Sequence, residues 1–296
     1  MDPFSGEGEL LNITTAFYTN AYQTVLDFDT SALSSSNQAT AQTLKYRAQI
    51  ALGDSSSVIS ELKPKATSGS PSSLALLALA QNDVEVATEL ATDPSTAEDP
   101  TVQVCAGTVL ASAAEYTTAI DLLSKHQGSL EAVALLVQIH LAQNRTDLAL
   151  KEVQAAKRWA NDSLLINLAE SWTNLREGGS EKYQSAFYVY EELASAPGNT
   201  SPTALVGQAV AELHLGRLEE AEVALQQAVN SEGADVQAIA NSIVLASVMG
   251  RKDEVVKGLI EQLRERDQGH ALLRDLEEKS ALFDAAAGKY SAKVTA

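Results

Sequence analysis

Apolar residues recur along this chain at helical spacing, in stretches of a dozen or so residues broken by turn-forming residues. Nothing alternates with period two for long enough to predict a strand. In the clearest stretch, Leu205 and Ala209 lie one turn apart on a first helix. Ala221, Leu225 and Ala228 then fall at i, i+4 and i+7 on a second helix, forming one stripe. Between them stands Gly216, a residue that adopts the left-handed conformation ending a helix at little cost. Glu219 and Glu220 follow in the first turn of the second helix, where negative charge suits the helix dipole. Ala209 and Ala221 are small where the two helices would come closest.

That unit repeats. A turn residue precedes a small residue by five positions in Asn20–Val25, Gly53–Val58, Asn82–Ala87, Asn144–Ala149, Gly216–Ala221 and Gly250–Val255, with Ala114–Ala119 and Glu181–Ala186 as weaker copies. Successive small residues are separated by 33, 29, 32, 30, 37, 35 and 34 positions. These values scatter around the ~34 residues of a tetratricopeptide repeat, not the ~40–47 of HEAT-type units. Pro64, Pro71, Pro94, Pro100, Pro197 and Pro202 are expected between helices, and none occurs from residue 101 to 196. The fold class is therefore all-α: an α-solenoid of about eight degenerate tetratricopeptide-like hairpins plus a C-terminal capping helix.

The array is expected to form one continuous domain over residues 1–296. It would have a disordered tail at 1–9, a capping helix at 269–288 marked by Leu272, Leu276, Leu282 and Phe283, and a tail at 289–296. Ser- and Thr-rich stretches at Ser31–Thr40 and Thr67–Ser73 read as loops. Glu177-Gly178-Gly179-Ser180 reads as a lengthened turn that would explain the wider spacing before Ala186.

Composition narrows the partner. The 296 residues carry 39 acidic and 21 basic side chains, a formal charge of -18, and only 5% are aromatic. Such a surface repels phosphates and anionic lipid, and it lacks stacking rings, so neither nucleic acid nor a bilayer is the expected ligand. The same charge also serves plain solubility. The start of the chain has no basic and apolar leader, and no apolar run reaches the ~20 residues that span a membrane, so a cytosolic protein is expected. Four glycosylation sequons, beginning at Asn12, Asn144, Asn161 and Asn199, are then expected to stay unused.

No catalytic constellation emerges. Cys105 is alone, in an apolar stretch, and reads as a small buried hydrophobe. His126, His140, His214 and His270 are scattered and share no metal-ligand spacing. Adjacent acids such as Glu191-Glu192 and Glu277-Glu278 point away from each other on a helix and serve solvation. No enzyme activity, metal or cofactor is expected. A helical-hairpin array offers instead a concave face lined by its first helices. On that face we place Gln138, Glu170, Thr173, Val210 and Leu213 as candidate partner contacts, with interhelix packing as the competing reading of the same five residues. The mix is uncharged to acidic, which argues against a basic clamp for an acidic carboxy-terminal peptide.

The chain also resembles the epsilon subunits of coatomer, in words spread over most of its length. Near the start these are Ala16-Phe17-Tyr18, Ala21-Tyr22-Gln23 and Tyr46-Arg47-Ala48. In the middle come Ser129-Leu130-Glu131, Val137-Gln138-Ile139, Asp147-Leu148-Ala149, Gln184-Ser185-Ala186-Phe187-Tyr188 and Glu191-Glu192-Leu193-Ala194. Gly207-Gln208-Ala209, Gly216-Arg217, Ile243-Val244-Leu245, His270 and Phe283-Asp284 complete the set; little falls between Ala66 and Tyr116. The resemblance implies a non-catalytic subunit of the COPI vesicle coat, peripheral on Golgi membranes. It would bind and stabilise the C-terminal domain of the alpha subunit. Membrane attachment would be indirect, through other coatomer subunits. The alternative is a general tetratricopeptide adaptor that captures short peptides of client proteins.

Overall fold

The computed structural model describes residues 6–67, 69–196, 202–231 and 236–290. Among them every regular element is a helix. The chain divides into two compact units, Met1–Ser201 and Pro202–Ala296.

The first unit holds six helical hairpins: α1 (Gly6–Tyr18) with α2 (Tyr22–Asp27), α3 (Ser35–Ala51) with α4 (Ser55–Thr67), α5 (Pro71–Gln81) with α6 (Val84–Thr92), α7 (Pro100–Ser112) with α8 (Tyr116–Leu123), α9 (Leu130–Ala142) with α10 (Thr146–Ala160), and α11 (Leu164–Glu177) with α12 (Ser180–Ser195). Each first helix packs on its own partner and on the first helix of the next hairpin, and each second helix lies against that next first helix. The first helices therefore form one inner layer. The second unit continues the pattern with α13 (Thr203–His214), α14 (Leu218–Asn230), α15 (Val236–Val248) and α16 (Asp253–Arg266), then a single helix α17 (Ala271–Ala287).

One turn builds almost every hairpin. Asn20, Gly53, Asn82, Ala114, Asn144, Gly216 and Gly250 all have φ between 52° and 89°. In each case the next residue's N–H reaches back five positions to a carbonyl of the first helix, as in Asp83 N to Ala78 O, Arg145 N to His140 O and Arg217 N to Glu212 O, at 2.8–2.9 Å. This left-handed cap satisfies carbonyls that the helix end would otherwise leave open, and it reverses the chain in three residues. The second helix then brings its fourth residue after the N-cap against the first. Val25, Val58, Ala87, Ala119, Ala149 and Ala221 occupy that place and are all 0% exposed.

Two expected positions differ. Val255 is 50% exposed, because α16 begins one residue later after Gly250 than α14 does after Gly216. The fourth residue after its N-cap, Lys252, is Val256, and Val256 packs into the core of that hairpin with Ile239, Ile243 and Leu263. In the sixth hairpin the turn is not lengthened: at two residues it equals that of the third hairpin and is shorter than the rest. Gly178 (φ 86°) and Gly179 (φ 101°) alone join α11 to α12, Glu181 is already helical, and Ala186 comes seven residues after the cap. The wider spacing is an added helical turn.

Other corrections follow from capping. Ser35–Thr40 is helix, introduced by Ser34, so the expected loop there shrinks; Thr67 ends α4 and Pro71 starts α5. Pro64 lies inside α4, exposed and near its C-terminal end, where its missing N–H forfeits one i→i−4 hydrogen bond. Pro71 and Pro100 stand at the first helical position, Pro94 is in a turn, Pro202 is the N-cap of α13, and Pro197 falls outside the described residues. Residues 6–9, expected in a tail, open α1, while residues 1–5 and 291–296 also fall outside the description. Glu9 has a structural task. Its carboxylate accepts from Ser34 N (3.1 Å), Ser34 Oγ (2.9 Å) and Asn37 Nδ2 (2.7 Å), tying α1 to the start of α3. These hydrogen bonds, that from the Ser34 backbone first, hold the carboxyl below its usual range.

Two substitutions test this register. Val256→Asp buries an uncompensated charge and should lower stability by about 2 kcal/mol or more, whereas Val255→Asp should stay within about 0.5 kcal/mol, in urea unfolding. Equal losses would remove the one-residue slip. Ala114 is the only alanine among the left-handed turn residues, so Ala114→Gly should raise stability by about 0.5–1 kcal/mol in the same assay.

Candidate functional site

The inner layer of the first unit does not leave an empty channel. Its superhelix curls until α1 meets α11, and the last turn of α1 fills the space between. Arg47, in the middle of α3, reaches across to Glu131 in the first turn of α9; one guanidinium nitrogen donates to both carboxylate oxygens at 3.0 and 2.9 Å. The pair is 15% and 22% exposed and joins residues 84 positions apart. The Phe17 ring of α1 lies under the guanidinium, 4.5 Å from its carbon, a geometry in which the ring face attracts the cation. Tyr18 of the same helix turn brings its phenol close to Glu131, both lining one recess. Burial, then the Glu131 charge, pushes the phenol's pKa well above the usual tyrosine value. Burial, the largest single influence, would favour neutral Arg47, yet Glu131 together with Cys105 and Tyr18 outweighs it and the net shift is upward. Cys105 lies against this cluster, and burial pushes its thiol up to about 11.

Beside the ion pair a recess of about 460 Å³ remains. Its lining is rich in hydroxyls, from Thr14, Thr40, Thr43, Ser72, Thr101 and Ser129. Asp99, at its edge, is already committed: it caps α7 through Thr101 N (2.8 Å) and Val102 N (3.1 Å) and accepts from Ser72 Oγ at 2.7 Å. The charges in the recess are thus internally matched. What it offers a partner is hydrogen bonding and van der Waals contact, with no net cationic or anionic clamp.

The five residues expected on the concave face separate. Gln138 is exposed and lines a smaller recess of about 140 Å³ together with Phe17, Tyr18 and Arg47. Val210 is half-buried on α13. Glu170 turns toward α10, where both its oxygens receive the Lys157 ammonium at 2.8 Å. Thr173 is 1% exposed and spends its hydroxyl on the Ala169 carbonyl. Leu213 packs with Ala209, Ala221 and Leu225. Thr173 is therefore interhelix packing, while Glu170 and Leu213 are half-buried and held in contacts within the chain. The helical period places a residue on the inner side only to within one neighbour, and that is enough to exchange groove for core.

The residues that do meet on the inner face, Phe17, Tyr18, Arg47 and Glu131, were not assigned a role from sequence. A usable signal existed, since all four lie within words shared with the resembling family. Two histidines serve locally as acceptors, His126 Nδ1 from Gly128 N and His270 Nδ1 from Leu272 N. Among the described residues no cluster of three or more His, Cys, Asp or Glu could hold a metal, and no helix is long and apolar enough to cross a membrane.

Hairpin geometry and a hydrogen-bonding inner face define a tetratricopeptide-type helical-repeat protein, a structural rather than catalytic class. In fold the chain is similar to a chain in the crystal structure of the APC/C hetero-tetramer Cut9–Hcn1, with a TM-score of 0.60 at 12% identity. That match covers 93% of this chain and 54% of the other, so the chain spans about half the length of its structural neighbour. The family model for the coatomer epsilon subunit matches residues 6–291. The probable coatomer subunit epsilon of Schizosaccharomyces pombe is 34% identical over 251 residues, covering 83% of this chain and 84% of that protein. Coatomer subunit epsilon-1 of Arabidopsis thaliana is 29% identical over 285 residues, covering 93% and 94%. The chain belongs to the coatomer epsilon subunit family, and is thereby a component of the COPI coat.

The buried ion pair sets a measurable expectation. Glu131→Gln leaves Arg47 poorly compensated and should cost about 1–3 kcal/mol, while the Arg47→Met/Glu131→Leu double variant should recover part of that loss. Additive losses in the urea-unfolding cycle would show that the two side chains do not act as a pair.

Proposed function

We propose that this chain is the non-catalytic coat subunit that binds and stabilises the C-terminal domain of the alpha subunit. In that role it supports Golgi-to-ER and intra-Golgi transport, and it reaches the membrane only through other coatomer subunits. The observation that carries the reading is the family match over residues 6–291, which spans the whole helical array rather than one generic hairpin.

The inner face supports the same reading over the adaptor alternative. One form of such an adaptor, a clamp for acidic carboxy-terminal peptides, calls for unpaired basic side chains. Here Arg47 is neutralised by Glu131 and covered by Phe17, and the adjoining recess is lined with hydroxyls. Such a surface suits a partner that presents backbone and small polar groups in a fixed arrangement, as a folded domain does. Of the five positions expected from sequence, Gln138 and Val210 remain as proposed contacts, joined by Thr40 and Thr43 at the recess.

Titration calorimetry of the full chain with the alpha subunit's C-terminal domain should give a 1:1 complex. Thr43→Arg and Gln138→Arg, both at accessible positions, should weaken it by about tenfold or more with melting temperature unchanged, a loss of about 1.4 kcal/mol each. Binding to a panel of unrelated client peptides with none to the domain would reverse the choice between the two readings.

A further inference from the structure

The last helix does not behave as a simple cap. Only its first turn is docked: Leu273 is 2% exposed and, with Leu272, joins Ile239, Ile243 and Leu263 in the core of the second unit. From Arg274 to Ala287 every residue is exposed. Yet this projecting part is amphipathic. Leu276 (41% exposed) and Phe283 (71%) stand at i and i+7 on the face of Leu272, with Ala287 one turn beyond; Leu282 (57%) lies on another face, and Tyr290 (83%) follows the helix end. A free segment of this length is marginal as a helix in water, and an apolar stripe gains nothing from solvent. The stripe is built to be covered.

Charge identifies the cover. From Arg274 to Ala287 the helix carries Asp275, Glu277, Glu278 and Asp284 against Arg274 and Lys279. Lys279 is committed to Asp275 at 3.1 Å, and Glu277 receives Arg264 only at 3.4 Å. The last turn holds Asp284 and no basic residue, so a carboxylate sits at the negative end of the helix dipole; the first base beyond is Lys289. Glu277 and Asp284, seven residues apart, border the stripe on one side.

We propose that α17 is a docking arm for a basic-flanked amphipathic helix of a partner polypeptide. Apolar side chains of that helix cover Leu276 and Phe283, and its lysines or arginines meet Glu277, Asp284 and the carbonyl end of α17. This surface belongs to the second unit, and the proposal does not depend on what the recess of the first unit binds.

Two labelled eighteen-residue peptides test it, both with one leucine stripe at heptad spacing, one flanked by lysine and the other by glutamate. Fluorescence anisotropy with the full chain at 150 mM salt should show the lysine peptide binding at least about tenfold more tightly. Leu276→Asp/Phe283→Asp should abolish that binding without moving the melting temperature, since both side chains are exposed. The double variant adds negative charge, so a merely electrostatic attraction would strengthen instead, and that result overturns the proposal. Equal binding of the two peptides overturns it as well. So does a dimer in analytical ultracentrifugation that the double variant dissolves, because the stripe would then belong to a second copy of the chain.

Discussion

A hairpin of two short helices closes only if one residue at their crossing is small or slim enough to vanish between them. In this chain that residue stands four positions after the N-cap of the second helix, and six of the eight hairpins bury it completely at that position. The turn before it is equally constrained. A left-handed residue followed by an N–H that reaches back five positions reverses the chain in three residues and leaves the second helix in one rotational setting. Each hairpin then presents the same remaining apolar surface to the next, and stacking is the way that surface is buried. Where the setting changes by a single residue, as at α16, the outcome is local: Val256 replaces Val255 in the core and Val255 turns outward.

The inner face shows how a repeated scaffold becomes particular. Arg47, Glu131, Phe17 and Tyr18 come from three helices, two of them three hairpins apart, and their contacts hold the curvature of the first unit. An ion pair this sheltered offsets its own desolvation only with good geometry and additional partners. The two hydrogen bonds of the pair and the ring under the guanidinium supply those partners. In consequence the face that a repeat protein ordinarily leaves open for a peptide is partly occupied by the protein itself. What remains is uncharged in effect and shaped for hydrogen bonds, consistent with one dedicated partner in a coat.

The second unit poses the opposite situation. Its terminal helix keeps an apolar stripe in solvent and leaves negative charge at its carbonyl end.

How much of this was legible in the sequence follows from the range of each interaction. The hairpin repeat, its turn residues and its buried small residues were readable because each depends on neighbours within about a dozen positions. Gly216 and Ala221 report their conformations locally. Helix ends were less so: Pro64 inside α4 and the two-residue turn at Gly178-Gly179 depend on whether capping and packing tolerate a lost hydrogen bond or an extra turn. The inner face was not readable at all by period. Thr173 is separated from a groove position by one step of rotation, and Arg47 finds Glu131 only because the four hairpins from α3 to α10 curl. By itself the sequence determined the unit, its number and its family. Only the tertiary structure decided which side chains face one another across the curl, because small rotations between hairpins accumulate over distances that no local pattern encodes.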